Sequence, residues 1–265
     1  EVQTVNLQPQ AGVYLSFAIA IAITTQLWSA ILWGWILALL RNPVPKRWAI
    51  VTFLKNAPAK YVPGSIWHFY GRVMAAQNRG IEVESASLSV MLEPLFIIAG
   101  ALGLALWHRS TSVPLILILI GILIVVHPTI FNRLWKGWRR LRGEKTSGAT
   151  LTQYPLSILI GAFCFMGLRS ITFICVTFAF TPIAWESYKP LISGFSFAWL
   201  LSLVIPSPGD LGVFEASALQ VLAPYLSPAA LLGSVGVYRL VTLCAELMSA
   251  IAAYFVKGVV AQVGL

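Results

Sequence analysis

Residues 12–40 form one apolar run that contains no charged side chain. A helix needs roughly 20 apolar residues to cross the hydrocarbon core of a bilayer, so this run is long enough to span a membrane. The composition of the whole chain agrees, because 58% of its residues are hydrophobic and only 10% are charged. The sequence therefore predicts an all-α, polytopic integral membrane protein that forms a single transmembrane domain over residues 1–265.

Two proline-glycine breaks interrupt other apolar segments. The first is Pro63-Gly64, within residues 48–76, and the second runs from Pro206 to Gly212, within residues 188–225. Non-helical backbone at membrane depth is tolerated only where protein buries it or where it lines a polar cavity. We therefore expect two re-entrant helical hairpins whose tips border a substrate site. The alternative is that each break joins two short segments that both cross the membrane.

The breaks divide the chain into two similar halves. The first repeat covers residues 12–131, with a further span over residues 113–131, and the second covers residues 151–257. The linker between them, residues 132–150, holds six Lys and Arg residues, which favours the cytoplasmic side of the membrane and contact with anionic lipid rather than nucleic acid. In that orientation the two hairpins enter from opposite faces, which is the pattern of an inverted repeat.

Ionisable residues inside apolar segments are the candidates for chemistry, because an isolated charge in hydrocarbon is costly and tends to face a shared interior. The basic candidates for phosphate contact are Lys60, Arg72, Arg169 and Arg239. The acidic candidates for countercharge, amine contact or proton relay are Glu93, Asp210, Glu215 and Glu246. The alternative for each is structural pairing that locks helices together. Glu93 and Arg239 follow their breaks at similar distances, which predicts a salt bridge between them.

Residues that favour helix starts follow each break. Ser65 is a candidate N-cap for the second arm of the first hairpin, and Ser207 precedes Pro208 in the second break. A helix N-terminus carries unpaired N–H groups and a partial positive charge, so two N-termini that converge on one cavity favour an anion such as a lipid phosphate. Asp210 is an alternative occupant of those N–H groups, as a self-cap or as a cation or proton site.

A known membrane family carries similar motifs at both breaks. The matching residues are Lys60-Tyr61-Val62-Pro63-Gly64-Ser65-Ile66-Trp67, then Gly71-Arg72 and Glu93, and later Ile205-Pro206-Ser207-Pro208-Gly209-Asp210-Leu211-Gly212-Val213-Phe214-Glu215-Ala216. Across nearly its whole length the chain resembles the flippase-like transmembrane domain of lysylphosphatidylglycerol synthases and its stand-alone relatives. Family members often have glycine where Asp210 stands and a basic residue where Phe214 stands.

The resemblance implies an integral domain that moves lipids, such as aminoacylated phosphatidylglycerol or glycosylated lipid carriers, between leaflets of the prokaryotic cytoplasmic (inner) membrane. It also implies a lipid-synthesising enzyme as a further partner, and a helix upstream of the present N-terminus. The substrate-binding candidates are Lys60, Tyr61, Ser65, Trp67, His68, Arg72, Glu93, Arg169, Ser207, Gly209, Asp210, Gly212, Glu215, Arg239 and Glu246.

The expected function is transport of a phospholipid or polyprenyl-linked lipid, with its phosphate held at the hairpin tips by basic residues. Nothing in the sequence matches the G-x-x-x-x-G-K-[ST] pattern, so ATP is not expected to drive it directly. We assign no catalytic residue, cofactor or metal. The alternatives are an intramembrane enzyme that processes lipid-linked phosphate and a non-catalytic accessory subunit of the membrane.

Overall fold

The computed structural model describes residues 7–63, 66–108, 112–141, 148–205 and 212–262, with side chains up to residue 256. Over these residues the chain is helical, with ten α-helices and two short 3-10 turns. Four helices are long and apolar enough to cross a membrane, namely α1 (Ala11–Leu39), α4 (Val83–Ala105), α7 (Leu156–Phe178) and α10 (Pro228–Gln262). The predicted all-α, multi-pass membrane class is therefore confirmed by helix length and hydropathy.

The first break lies between two short helices, α2 (Lys46–Asn56) and α3 (Trp67–Gln77), with a 3-10 turn over Ala57–Tyr61. The arms run antiparallel, because Arg79 after α3 stacks over Trp48 near the start of α2, at 5.2 Å from guanidinium carbon to ring centre. Near the break, Gly71 lies so close to Asn56 that an added Cβ would meet its side chain at 1.8 Å. We call α2, the turn and α3 the first hairpin.

The second break separates α8 (Tyr188–Val204) from α9 (Val213–Leu222). These helices also pack against each other, since Gly194 of α8 lies against Leu222 at the end of α9, where an added Cβ would meet that side chain at 2.3 Å. We call α8 and α9 the second hairpin. The expected caps Ser65 and Ser207, together with Gly209 and Asp210, lie outside the described residues. Gly212 precedes α9 with φ of 92°, a left-handed conformation that suits glycine.

Helix α5 (Val113–Val125) is followed by α6 (Pro128–Leu141) at an angle of 77°. The predicted span over residues 113–131 is therefore not one straight helix, because α5 ends at Val125 and α6 begins at Pro128; the bent pair α5 and α6 remains a candidate for a fifth, broken span. Proline suits the first position of a helix, where its missing N–H would have no partner, so a new helix can start there. The predicted linker over residues 132–150 is also helical as far as Leu141.

The two hairpins have their termini at opposite ends of the bundle. At one end α1 finishes, α7 starts and the first hairpin has its termini; Thr152 donates its hydroxyl proton to the Leu39 carbonyl there at 3.1 Å. We call this the basic end, because Arg41, Lys46 and Arg79 lie there with α6. At the opposite end, Gln8 N–H donates to the Ala179 carbonyl at 2.9 Å. The second hairpin has its termini at that opposite end.

The core of the bundle is formed by α1, α4 and α7, with α8 and α10 packed around them. Gly100 of α4 lies directly against the α7 backbone, where an added Cβ would stand 2.5 Å from the Ala162 carbonyl oxygen. Gly161 of α7 receives the Leu32 side chain of α1 in the same way. Small residues let transmembrane helices approach closely, so these glycines fix where the three helices cross.

Candidate functional site

A cavity of about 210 Å³ lies between the first hairpin and helices α1, α4, α7, α8 and α10. It combines charged and aromatic residues in the interior of the apolar bundle. Its lining includes Gln26, Ser29, Phe53, Asn56, Lys60, His68, Phe69, Arg72, Glu93, Pro94, Phe165, Arg169, Trp199 and Glu246. Two ion pairs border this cavity, Arg72–Glu93 and Lys60–Glu246. We call it the paired-charge cavity.

The most deeply buried of these pairs joins the guanidinium of Arg72 on α3 to the carboxylate of Glu93 on α4. Arg72 is 3% exposed and Glu93 is 6% exposed. Ser29 of α1 donates its hydroxyl proton to Glu93 at 3.3 Å, and the Arg72 guanidinium lies 4.7 Å from the centre of the Phe53 ring. The pair therefore fastens the second arm of the first hairpin to the core helices α1 and α4.

A second pair fastens the tip of the first hairpin to α10. Lys60 donates to the carboxylate of Glu246, which is 2% exposed. The same carboxylate accepts a hydrogen bond from the Tyr61 hydroxyl at 2.8 Å and one from the Gln26 side-chain amide of α1 at 2.7 Å. The Glu246 carboxylate thus has three donors, one from α1 and two from the turn that precedes the first break.

A third ion pair, which does not line the paired-charge cavity, connects the start of α9 to α10. Arg239 of α10 contacts the Glu215 carboxylate, and Glu215 also accepts the N–H of Gly212 at 2.8 Å. One N–H at the start of α9 is therefore occupied by an acid of its own helix. The predicted bridge between Glu93 and Arg239 is wrong, because Glu93 pairs with Arg72 and Arg239 pairs with Glu215. Glu93 and Arg239 follow their breaks at similar distances along the chain, but the fold does not place them in contact.

A second cavity, of about 380 Å³, brings the tips of the two hairpins together. Lys60 and Tyr61 come from the first tip, while Trp199, Ser202 and Phe214 come from the second hairpin. The remaining walls are Arg169 of α7 and a stretch of α10 that includes Tyr238, Arg239 and Thr242. Because Lys60, Arg169 and Trp199 also border the paired-charge cavity, the two cavities adjoin. We call the second one the arginine cavity.

Arg169 lies in an aromatic surrounding at the boundary of the two cavities. Its guanidinium carbon is 5.4 Å from the centre of the Trp199 ring, 5.7 Å from Phe165 and 5.8 Å from Tyr238. Cations are attracted to the faces of aromatic rings at such distances. The three rings surround the guanidinium at the point where Arg169 borders both cavities.

An apolar groove runs along the outside of the bundle between α3 and α4. It is lined by Ile66, Phe69, Tyr70, Val73, Ser87, Val90, Met91 and Pro94. Several of these side chains are strongly exposed, including Ile66 at 62% and Met91 at 66%. Phe69 and Pro94 border both the groove and the paired-charge cavity. The apolar groove on the outside of the bundle thus adjoins the paired-charge cavity.

The structure brings most of the described candidates together. Lys60, His68, Arg72, Glu93, Arg169 and Glu246 line the paired-charge cavity, while Tyr61 and Arg239 line the arginine cavity. Glu215 reaches this site through Arg239, and Gly212 lies next to it at the start of α9. Trp67 lines neither of these two cavities; its indole N–H donates to the Pro63 carbonyl at 2.8 Å and its ring is exposed.

Sequence reasoning missed several residues of the site, notably Gln26, Phe69, Trp199 and Tyr238. Gln26 did leave a signal, since it is the one side-chain amide in the apolar run of residues 12–40. Phe69, Trp199 and Tyr238 gave no such signal, because an aromatic side chain in a transmembrane segment is usually a packing or interface residue. Their roles depend on which helices cross, and that is visible in the fold alone.

No family model matches this sequence, and no curated protein matches it significantly. Among the described residues, no three His, Cys, Asp or Glu side chains are grouped as a metal site would require. The function is therefore inferred from the cavities, the groove and the ion pairs of this chain.

Proposed function

We propose that this protein moves a phospholipid or another phosphate-bearing lipid between the leaflets of the membrane. The observation that carries this proposal is the junction, at Phe69 and Pro94, of a cavity bordered by two ion pairs with an apolar groove. A lipid has the same two parts, a charged headgroup and apolar chains. The headgroup would occupy the adjoining cavities, and a chain would remain in the groove in contact with the bilayer.

The two hairpins are proposed to be re-entrant and to form the matching parts of an inverted repeat. Each arm of the first hairpin has 11 residues, which gives a helix of about 16 Å, roughly half of a 30 Å hydrocarbon core. Helix α9 is shorter still, with 10 residues. The other arm of the second hairpin, α8, has 17 residues. Two hairpins that enter from opposite ends and share one cavity are typical of transporters with a site near the midplane.

The basic end is proposed to face the cytoplasm, in the cytoplasmic (inner) membrane of a prokaryote. Arg41, Lys46, Arg47 and Arg79 lie at this end, and α6 adds further basic residues. Short cytoplasmic loops of membrane proteins carry an excess of Lys and Arg, which supports this orientation. The compartment itself follows from the resemblance of the two break motifs to the flippase-like family.

The paired charges explain how a headgroup would cross. A charged group in hydrocarbon is costly, but a cavity with fixed cations and carboxylates replaces part of its hydration. Lys60 is 37% exposed while its partner Glu246 is buried, so the Lys60 ammonium is able to contact a phosphate without exposing the carboxylate to lipid. The ion pairs would thus keep the route polar while no lipid is bound.

Translocation in reconstituted vesicles tests the proposal. Fluorescent phosphatidylglycerol and phosphatidylethanolamine are placed in both leaflets, and the fraction quenched by an impermeant reductant is followed with time. In vesicles that contain the protein, we expect the reductant to quench most of the fluorescent lipid. In protein-free vesicles, roughly half of the lipid lies in the inner leaflet and stays protected. Mass spectrometry of the recovered lipid should find it chemically unchanged. A modified lipid would support the enzyme instead, and full protection of the inner leaflet would overturn the proposal.

A further inference from the structure

The 3-10 turn of the first hairpin lies between the two cavities. Ala57, at its start, borders the paired-charge cavity, and Tyr61, at its end, borders the arginine cavity. Lys60 borders both cavities. Arg169 of α7 and Trp199 of α8 border both as well. The turn therefore forms part of the boundary between the cavities, together with α7 and α8.

Packing holds this turn weakly. None of its five residues is buried, and the side chain of Lys60 is 37% exposed. Among the described residues, the side-chain hydrogen bonds from the turn to other helices both end on the Glu246 carboxylate, from Lys60 and from Tyr61. Segments with few buried apolar contacts open at low cost in free energy, because little packing is lost. One carboxylate of α10 is thus the main attachment of the turn.

The Glu246 carboxylate has another partner that does not belong to the turn. The side-chain amide of Gln26 on the core helix α1 donates to it at 2.7 Å. Glu246 is 2% exposed, and a buried charge that loses every partner is strongly unfavourable. Because Gln26 remains in place when the turn leaves, the carboxylate keeps a donor. The turn can therefore separate from α10 without leaving Glu246 unpartnered.

We infer that the turn Ala57–Tyr61 is a gate between the two cavities and that the Glu246 carboxylate is its latch. This inference rests on the proposed lipid transport and concerns how the route opens. While Lys60 and Tyr61 bind Glu246, the turn separates the cavities. When both contacts break, the turn moves away from α10 and the cavities join into one passage. An anionic group that takes the Lys60 ammonium from Glu246 binds only the open gate, so it shifts the gate towards the open state.

The mobility of a spin label beside the turn tests the latch without any transport. The label is attached at Val62→Cys, a 49% exposed position, in the full chain without its three native cysteines. Glu246→Gln removes the negative charge and keeps the size of the side chain. Loss of one charge-assisted hydrogen bond should raise the population of the released turn about tenfold to a hundredfold, which enlarges the mobile component of the spectrum. Glu186→Gln, which changes an exposed carboxylate at the opposite end, is the matched control and should leave the spectrum unchanged.

A reversible cross-link tests the gate. In the same cysteine-free chain, Lys60→Cys and Glu246→Cys are bridged by a short bis-methanethiosulfonate, which a thiol reductant removes. Translocation is followed by extraction of fluorescent lipid with albumin, so that the assay itself contains no reductant. The bridged protein should translocate lipid no faster than protein-free vesicles do, and the reductant should restore translocation in the same sample. Each single cysteine variant, treated with the same reagent, should keep its untreated rate.

The outcomes separate the gate from the proposed function. An unchanged label spectrum in a folded Glu246→Gln variant overturns the latch. If Glu246→Gln does not fold, Tyr61→Phe decides in its place, because it removes one hydroxyl and keeps the ring. Bridged protein that translocates lipid as fast as unbridged protein overturns the gate and leaves the transport proposal standing. Wild-type protein that translocates no lipid overturns the transport proposal and the gate, whereas the label spectrum still decides the latch.

Discussion

Arg72 and Glu93 are the most buried ion pair among the described residues, and they connect the first hairpin to the core. Removing one partner leaves the other charge in an apolar interior. We expect Glu93→Gln to lower the free energy of unfolding by about 3–5 kcal/mol, because the desolvated Arg72 loses its counterion. Thermal melts of the protein in detergent measure the loss.

Glu215→Gln is the matched control for that prediction, since it removes a carboxylate from a pair whose members are 25% and 31% exposed. A partly exposed pair is screened by solvent and should contribute about 0–1 kcal/mol. Equal melting temperatures for the two variants would contradict the structural role assigned to Arg72 and Glu93.

The close crossings of α1, α4 and α7 position the residues that line the two cavities. Gly100→Ala should destabilise the protein by about 1–3 kcal/mol, because the new methyl group overlaps the Ala162 backbone of α7 and overpacks the crossing. Gly121→Ala on α5 is the control, since an added Cβ there meets nothing within 4 Å. Denaturant titration of both variants checks the prediction, and a larger loss at Gly121 would refute the α4–α7 contact.

Helix α6 is expected to lie in the cytoplasmic interface rather than to continue the span of α5. Its exposed apolar residues Ile130, Leu134, Trp138 and Leu141 recur at helical spacing, and Arg133, Lys136 and Arg140 are exposed beside them. An amphipathic basic helix with this pattern inserts its apolar side among anionic headgroups. Contact with Glu84 holds the helix to the start of α4, through Trp135 and Arg139.

Spin labels test the position of α6 in anionic nanodiscs. A label at Leu134→Cys should be reached by oxygen from the bilayer, whereas a label at Lys136→Cys should be reached by a water-soluble relaxation agent. The background lacks Cys164, Cys175 and Cys244. Equal access of the water-soluble agent to both positions would show that α6 does not lie in the interface.

The whole molecule is expected to place both ends of each hairpin on one side of the membrane. Single cysteines at Lys46 and Asn78 should react with an impermeant reagent from the cytoplasmic face, and those at Glu186 and Ser227 from the outer face. All four sites lie outside the long helices or at hairpin ends. Opposite labelling of Lys46 and Asn78 would mean that the first hairpin crosses the membrane.

Sequence reasoning predicted the long helices and the two breaks, because both follow from local composition and from the effect of proline and glycine on a helix. It did not predict the ion-pair partners. Whether Glu93 meets Arg72 or Arg239 depends on the α1, α4 and α7 crossings, which are set by close glycine contacts. The bend before α6 has a local signal in Pro128, because proline favours the first position of a new helix.

The central claim is that the polar cavities and the apolar groove together carry a lipid, and one translocation measurement tests it most directly. Met91→Trp fills the groove at an exposed site, and Leu117→Trp makes a comparable change on α5, away from the groove. The two side chains are similarly exposed, at 66% and 63%. In vesicles of equal protein content, Met91→Trp should slow lipid translocation severalfold while Leu117→Trp leaves it at the wild-type rate. Equal rates for Met91→Trp and wild type would contradict the claim.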